Sequence, residues 1–148
     1  MMNAIKHAHS GLRWVVLALL LLAIANAYNG WQKRQPYTPS DKKKHLFALI
    51  FCHIQMLIGF VAYFLNLGGK VQFSGATMGN DLIRFFTMEH SIMMILAIVV
   101  ITVGFSKAKK IIETPRRFRM IFSTYLIGLL LILAGIPWPF RALGAGWF

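Results

Sequence analysis

Four apolar blocks, each about 20 residues long, restrict what this chain can fold into more than any other feature of it. A helix of that length rises about 1.5 Å per residue and crosses about 30 Å of hydrocarbon. A water-soluble core would break such blocks with a polar position at every turn. The blocks predict helices at about residues 7–29, 45–67, 83–106 and 119–136, with loops at about 30–44 and 107–118. In a chain of 148 residues they leave no room for a second domain. The expected fold is all-α: one membrane domain, a four-transmembrane-helix bundle running up-down-up-down because its connections are short.

The punctuation agrees with this division. Pro36 and Pro39 interrupt the first loop, Gly68 and Gly69 close the second helix, and Pro137-Trp138-Pro139 stop the fourth. Ala25-Asn26-Ala27, at the end of the first block, resembles a signal-peptidase site. A signal peptide carries its positive charge ahead of the apolar run. Here the heavier charge follows it, in Lys33, Arg34, Lys42, Lys43 and Lys44, so the segment reads as the first helix.

Sixteen basic residues face four acidic ones, a balance that would suit a nucleic-acid binder if the bases formed a face. They cluster between the blocks instead, which points to loops held against anionic lipid and excludes nucleic acid as a partner. Five lie in the first basic loop and six in the second, against Lys6, Arg13, Lys70, Arg84 and Arg141 on the opposite side. That bias places the basic loops in the cytoplasm and both termini on the periplasmic side of a bacterial inner membrane. Trp31 then falls at the inner interface, and Trp138 and Trp147 at the outer one. The single cysteine, Cys52, lies inside a block and reads as a small buried hydrophobe; no disulfide or CxxC pair is possible within the chain.

Polar side chains inside hydrocarbon are costly, so each one asks for an explanation. The set comprises Asn26, His53, Gln55, Glu89, His90, Thr102 and Tyr125, with His9 and Arg13 at the mouth of the first helix, whereas His7 and His45 read as solvated. Projected at about 100° per residue, His90 shares a face with Phe86, Met93, Met94, Ala97, Ile101 and Gly104. Thr124, Gly128, Leu131 and Gly135 form a close-packing stripe on the fourth helix. His9, Arg13, Val16, Leu20, Ala23 and Ala27 align on the first. The second helix offers two faces that cannot both point inward: Cys52, Gln55, Gly59, Ala62 and Asn66, or His53, Leu57, Phe60 and Phe64.

Bundles with inward histidines can ligate haem iron through neutral imidazole, provided the two axial ligands lie at similar depth. Counting from block midpoints, His9 and His90 differ in depth by roughly 7 Å, and His53 and His90 by roughly 11 Å. His9 with His90 is therefore the better-matched pair, with His53 the other candidate ligand. A zinc or copper site from His9, Glu89 and His90, with His7, is a second possibility. No HExxH, GxGxxG, P-loop or Ser/His/Asp pattern is present, which leaves hydrolysis, dinucleotide binding and nucleotide-driven transport without support.

His9-Ser10-Gly11-Leu12-Arg13-Trp14, His53 with Gln55, Gly59 and Tyr63, Arg84-Phe85-Phe86-Thr87-Met88-Glu89-His90, and Ile136-Pro137-Trp138-Pro139-Phe140 together resemble the small bacterial four-helix membrane proteins labelled cytochrome b. The resemblance spans nearly the whole chain. It implies a haem b protein of a redox membrane system, with His9, His53 and His90 as candidate iron ligands. On this reading electrons pass between quinol and a partner redox subunit or a second copy. Arg13 and Arg84 would pair with haem propionates, and Glu89 or the unligated histidine would take a quinol proton. The competing readings are a non-catalytic membrane subunit or assembly module of a larger complex, and a metal or small-solute membrane protein.

Overall fold

The computed structural model of the chain describes residues 2–67, 69–143 and 147, the side chains of Met2 and Ala76 excepted. Gly68, expected to help close the second helix, lies outside the described residues. Four long helices carry the fold: α1 (Met2–Gln32), α2 (Pro39–Phe64), α3 (Asp81–Ala108) and α4 (Thr114–Gly135). All four are long and apolar enough to cross a membrane, as in a multi-pass membrane protein. One end of the bundle carries the two basic connections, and the other carries Lys6, Trp138 and Trp147.

The second helix begins at Pro39 rather than at residue 45, and the reason is chemical. Thr38 accepts the Asp41 N–H through its hydroxyl at 3.3 Å, while the Asp41 carboxylate accepts the Thr38 N–H at 2.9 Å. This reciprocal cap satisfies two orphan donors, and Pro39 sits where its missing N–H costs nothing. Asn26 of α1 donates to the same carboxylate at 3.0 Å and so fixes α2 against α1. Lys42, Lys43 and Lys44 are therefore helical, and His45 lies in the second turn instead of at the solvated start. It is fully buried, a correction to its solvated reading. The Tyr125 hydroxyl donates to the His45 carbonyl at 2.8 Å, and the His45 ring packs edge-on against Phe118 and Tyr125.

Helix α1 packs against α2 and α4, and α4 packs against α3; of the neighbouring pairs, α2 and α3 touch least. Small residues set the tight contacts. A Cβ on Gly104 would collide with Thr124, one on Gly128 with the Ile101 side chain, and one on Gly135 with Met93 and Met94. In lipid there is no hydrophobic driving force between helices, so this closeness supplies the dispersion that holds α3 to α4. The α1 stripe of Val16, Leu20, Ala23 and Ala27 is buried in the same core.

Helix α3 contains one turn of π-helix, Phe85–Glu89, immediately before His90. In an α-helix residues five apart do not face each other; a π turn, with its i to i+5 bonding, stacks them. Glu89 accordingly meets Arg84, Nε to Oε1 2.8 Å.

Gly128→Leu should lower stability in detergent by about 1–3 kcal/mol, because an extra side chain must enter the α3–α4 contact. Leu130→Ala, on the exposed face of α4, should change it by less than about 0.5 kcal/mol. Thermal or denaturant unfolding of the two variants measures this; equal effects would show that the glycine does not set the packing distance.

Candidate functional site

The least-packed seam, between α2 and α3, holds a cavity of about 260 Å³ that reaches across to α1. His9, Arg13, Gln55, Gly59, Met94 and His90 are among its walls. On α2 the small, polar face of Cys52, Gln55, Gly59 and Ala62 lines it, while Leu57 and Phe64 are exposed on the opposite side of the helix. Of the two faces offered by the sequence, the small one points inward.

His9 and His90 meet in this cavity, their ring centres 6.3 Å apart and their planes at 79°. Each ring is set by a different device. Nδ1–H of His90 donates to the Gly135 carbonyl at 2.7 Å. A carbonyl can only accept, so this bond fixes the tautomer and leaves Nε2 with its lone pair. The acceptor is available because the residue four further on is Pro139, which has no N–H to return. Pro137 frees the Leu133 carbonyl in the same way, and the Trp138 indole takes it at 2.8 Å. His9 is placed through its backbone: Gln55 donates to its carbonyl at 2.8 Å, and Gly59 lets α2 approach so closely that a Cβ there would lie 3.0 Å from His9 Cε1. His9 Nδ1 is buried with no hydrogen-bond partner, and so is Gln55 Oε1.

The other candidates lie elsewhere or are engaged. His53 does not line the cavity; its Nδ1–H donates to the Leu49 carbonyl at 2.8 Å and its Nε2 lies 3.4 Å from Thr102 Oγ1 across the seam. Arg84 is held by Glu89 and by Asp81 at 3.0 Å, and neither it nor Glu89 lines the cavity. Arg13 lines it, with Nη2 on the Trp147 carbonyl at 2.6 Å and the guanidinium over the Trp14 ring. His7 is exposed. Among the described residues no three His, Cys, Asp or Glu side chains gather to hold a metal ion. The expected cluster of His9, Glu89, His90 and His7 therefore does not form, because Glu89 turns to Arg84.

Sequence reasoning missed two things. Gln55 was recognised as an intramembrane polar residue, but nothing in the periodicity showed that it would hold His9 by the backbone. A second buried histidine centre, at the basic end, was hidden by the misplaced start of α2. There Tyr37 lies between the Arg117 guanidinium, 4.4 Å from its ring, and the stacked His45 ring. Burial pushes the Tyr37 phenol up to about 12, so it stays protonated and donates to His45 Nδ1 at 3.0 Å. The Nε2 proton of His45 then turns toward the Ala23 carbonyl, short of a closed hydrogen bond.

No family model, no curated protein and no solved structure matches the chain.

His90 and His45 should carry their protons on opposite nitrogens. Nitrogen NMR of protein with labelled imidazoles should give the Nδ1–H tautomer for His90 and the Nε2–H tautomer for His45. An Nε2–H tautomer at His90 would contradict the Gly135 hydrogen bond.

Proposed function

We propose that the chain is a membrane-embedded b-type cytochrome that passes electrons between quinol and a redox partner, with one haem held by His9 and His90. The observation that carries this reading is the facing pair itself. Two imidazole nitrogens on one metal, each about 2 Å from it and about 1 Å from its ring centre, put the ring centres about 6 Å apart. The 6.3 Å between His9 and His90 fits that span. The size of the ligand set adds a second argument. A bare zinc ion asks for three or four protein ligands, and the described residues gather no such group. An iron porphyrin asks for only two, one on each face.

His9 Nδ1 is buried without a partner and the Gly135 bond leaves His90 Nε2 its lone pair, so each ring keeps a nitrogen that such a group could take. Metal-ligating histidines ordinarily give their other ring N–H to a carbonyl or carboxylate, and Gly135 supplies that partner for His90. Gln55, by holding the His9 carbonyl, keeps α1 in register with the cavity. The apolar walls exclude water, which favours the neutral imidazole needed for ligation. When bound, the haem would supply a one-electron couple tuned by this dry, bis-imidazole setting. His53, bonded to Leu49 and beside Thr102, acts in this reading as a link between α2 and α3. The positive-inside bias supports cytoplasmic basic connections, with the His9–His90 pair on the periplasmic half.

Purified protein should show a Soret band that sharpens on dithionite reduction. His9→Ala and His90→Ala should each lose haem or become high-spin, while His53→Ala keeps a low-spin spectrum. A colourless wild type, or wild-type spectra from all three variants, would overturn the reading. For orientation, cysteines introduced near Lys43 and Lys110 should be shielded from an impermeant thiol reagent in intact cells, and one near Gly75 should react; the reverse pattern would put the cavity on the cytoplasmic half.

A further inference from the structure

The titratable groups around the cavity are of one kind. Lys6, Arg13 and Lys70 line it together with His9 and His90, and none of the chain's four acidic side chains does. All four are occupied elsewhere: Asp41 with Thr38, Asn26 and Lys44 at the basic end, Asp81 and Glu89 on Arg84, and Glu113 with Arg116. Lys6, His9 and Arg13 follow one another at helical spacing on α1, so two cations flank the imidazole along a single face. Arg13 is tied only to neutral groups, the Trp147 carbonyl and the Trp14 ring, and its Nε is buried with no hydrogen-bond partner among the described residues. Lys70 reaches the Leu143 carbonyl and the Phe86 ring. Burial, and then the neighbouring Lys6, hold the Lys70 ammonium below its usual range, as expected where like charges share a poorly solvated space.

A guanidinium inside a membrane-length helix calls for a partner of opposite sign, and none of the four acidic side chains lies with Arg13 on the cavity wall. Apart from Ser10, Gln55, Tyr63 and Ser91, the rest of the lining is apolar, from Met56 and Phe60 on α2 to Met94 and Ile98 on α3. Ile95, another wall residue, is exposed on the bundle surface, so the seam opens sideways toward the space a bilayer would fill.

We infer that the cavity takes a ligand with an apolar body and a carboxylate end, the carboxylate lying against Arg13 and Lys6. Two sources carry this chemistry: the propionate edge of a haem, and a free fatty acid from the bilayer. The inference concerns the shared carboxylate and stands whether or not haem is the occupant. It also assigns the anion to Arg13 and Lys6 instead of Arg84, whose guanidinium Asp81 and Glu89 already neutralise.

The test compares each acid with its uncharged twin on the full chain in detergent: haem b against haem dimethyl ester, and radiolabelled palmitate against hexadecanol. For at least one pair the acid should bind about tenfold more tightly or better. Arg13→Gln combined with Lys6→Gln should abolish that preference while leaving the affinity of the uncharged twin unchanged. Arg13→Lys with native Lys6 should retain it, and thermal unfolding should show that both variants are folded. Discrimination within the haem pair names haem as the source; discrimination within the palmitate pair, with no binding of haem or its ester, names a lipid acid and sinks the cytochrome reading, yet upholds this one. Equal binding of acid and twin in both pairs, no binding by any of the four, or a preference that survives the double substitution overturns the inference. Haem and its ester binding equally, with dependence on His9 and His90, while palmitate and hexadecanol also bind equally, would leave the cytochrome reading standing and remove this one.

Discussion

The hydrogen bond from His90 to the Gly135 carbonyl, 2.7 Å long, joins the requirements of the bilayer to those of the site. A helix that ends within or near hydrocarbon must dispose of its last carbonyls, since each unsatisfied group costs several kcal/mol there. Helix α4 ends in Ile136-Pro137-Trp138-Pro139, and the two prolines remove the N–H groups that would have capped Leu133 and Gly135. The vacated acceptors are taken by the Trp138 indole and the His90 imidazole, and the Ala134 carbonyl between them by Arg141. Terminating the helix and orienting the histidine are thus one event. Because Gly135 is also where Met93 and Met94 pack without room for a Cβ, the α3–α4 contact fixes the depth of His90 as well as its tautomer.

The rest of the bundle follows from which helix pairs can close. Glycines bring α3 and α4 together, and the α1 stripe of small and branched residues fills the space beside them. The polar lock at the basic end, built from Asn26, Asp41, Tyr37 and His45, holds α2 to α1 and to the Arg117 end of α4. Of the neighbouring pairs α2 and α3 are packed least, and the cavity lies in the seam between them. Three of the buried side-chain atoms without a hydrogen-bond partner among the described residues, on His9, Arg13 and Gln55, belong to residues of its wall; Asn26 Oδ1 and His45 Nε2 are the others, at the basic end.

Much of this was legible in the sequence. Four apolar blocks sufficed for the all-helical bundle, and projection at helical period correctly grouped the inward faces of α1, α4 and the part of α3 from His90 onward, because those stretches obey one uninterrupted period. Where the period is broken, the reading failed. Arg84 and Glu89 are five residues apart and would diverge on an α-helix, so only the π turn, which the sequence does not announce, makes them partners. That pairing withdraws Glu89 from the metal cluster and Arg84 from the cavity. His45 was misplaced because Pro39 was taken as a stop, although a Thr38–Asp41 cap ahead of a lysine run permits a start. The role of Gln55 could not be read at all, since a side chain bonding to a backbone carbonyl on another helix leaves no periodic signal. The Pro137–Pro139 pair did carry a usable signal: counting back four residues from each proline identifies the two carbonyls that need outside donors.

The central claim, that His9 and His90 would together hold one haem, is tested most directly by electron paramagnetic resonance of the oxidised protein. The imidazole planes lie at 79° to one another. Near-perpendicular axial rings leave the iron d orbitals that interact with them almost equal in energy, which gives a low-spin ferric signal of large g anisotropy. The account predicts that strongly anisotropic low-spin signal, from one haem per chain. A high-spin signal, a rhombic low-spin signal of the kind parallel rings produce, or no ferric haem signal would contradict it.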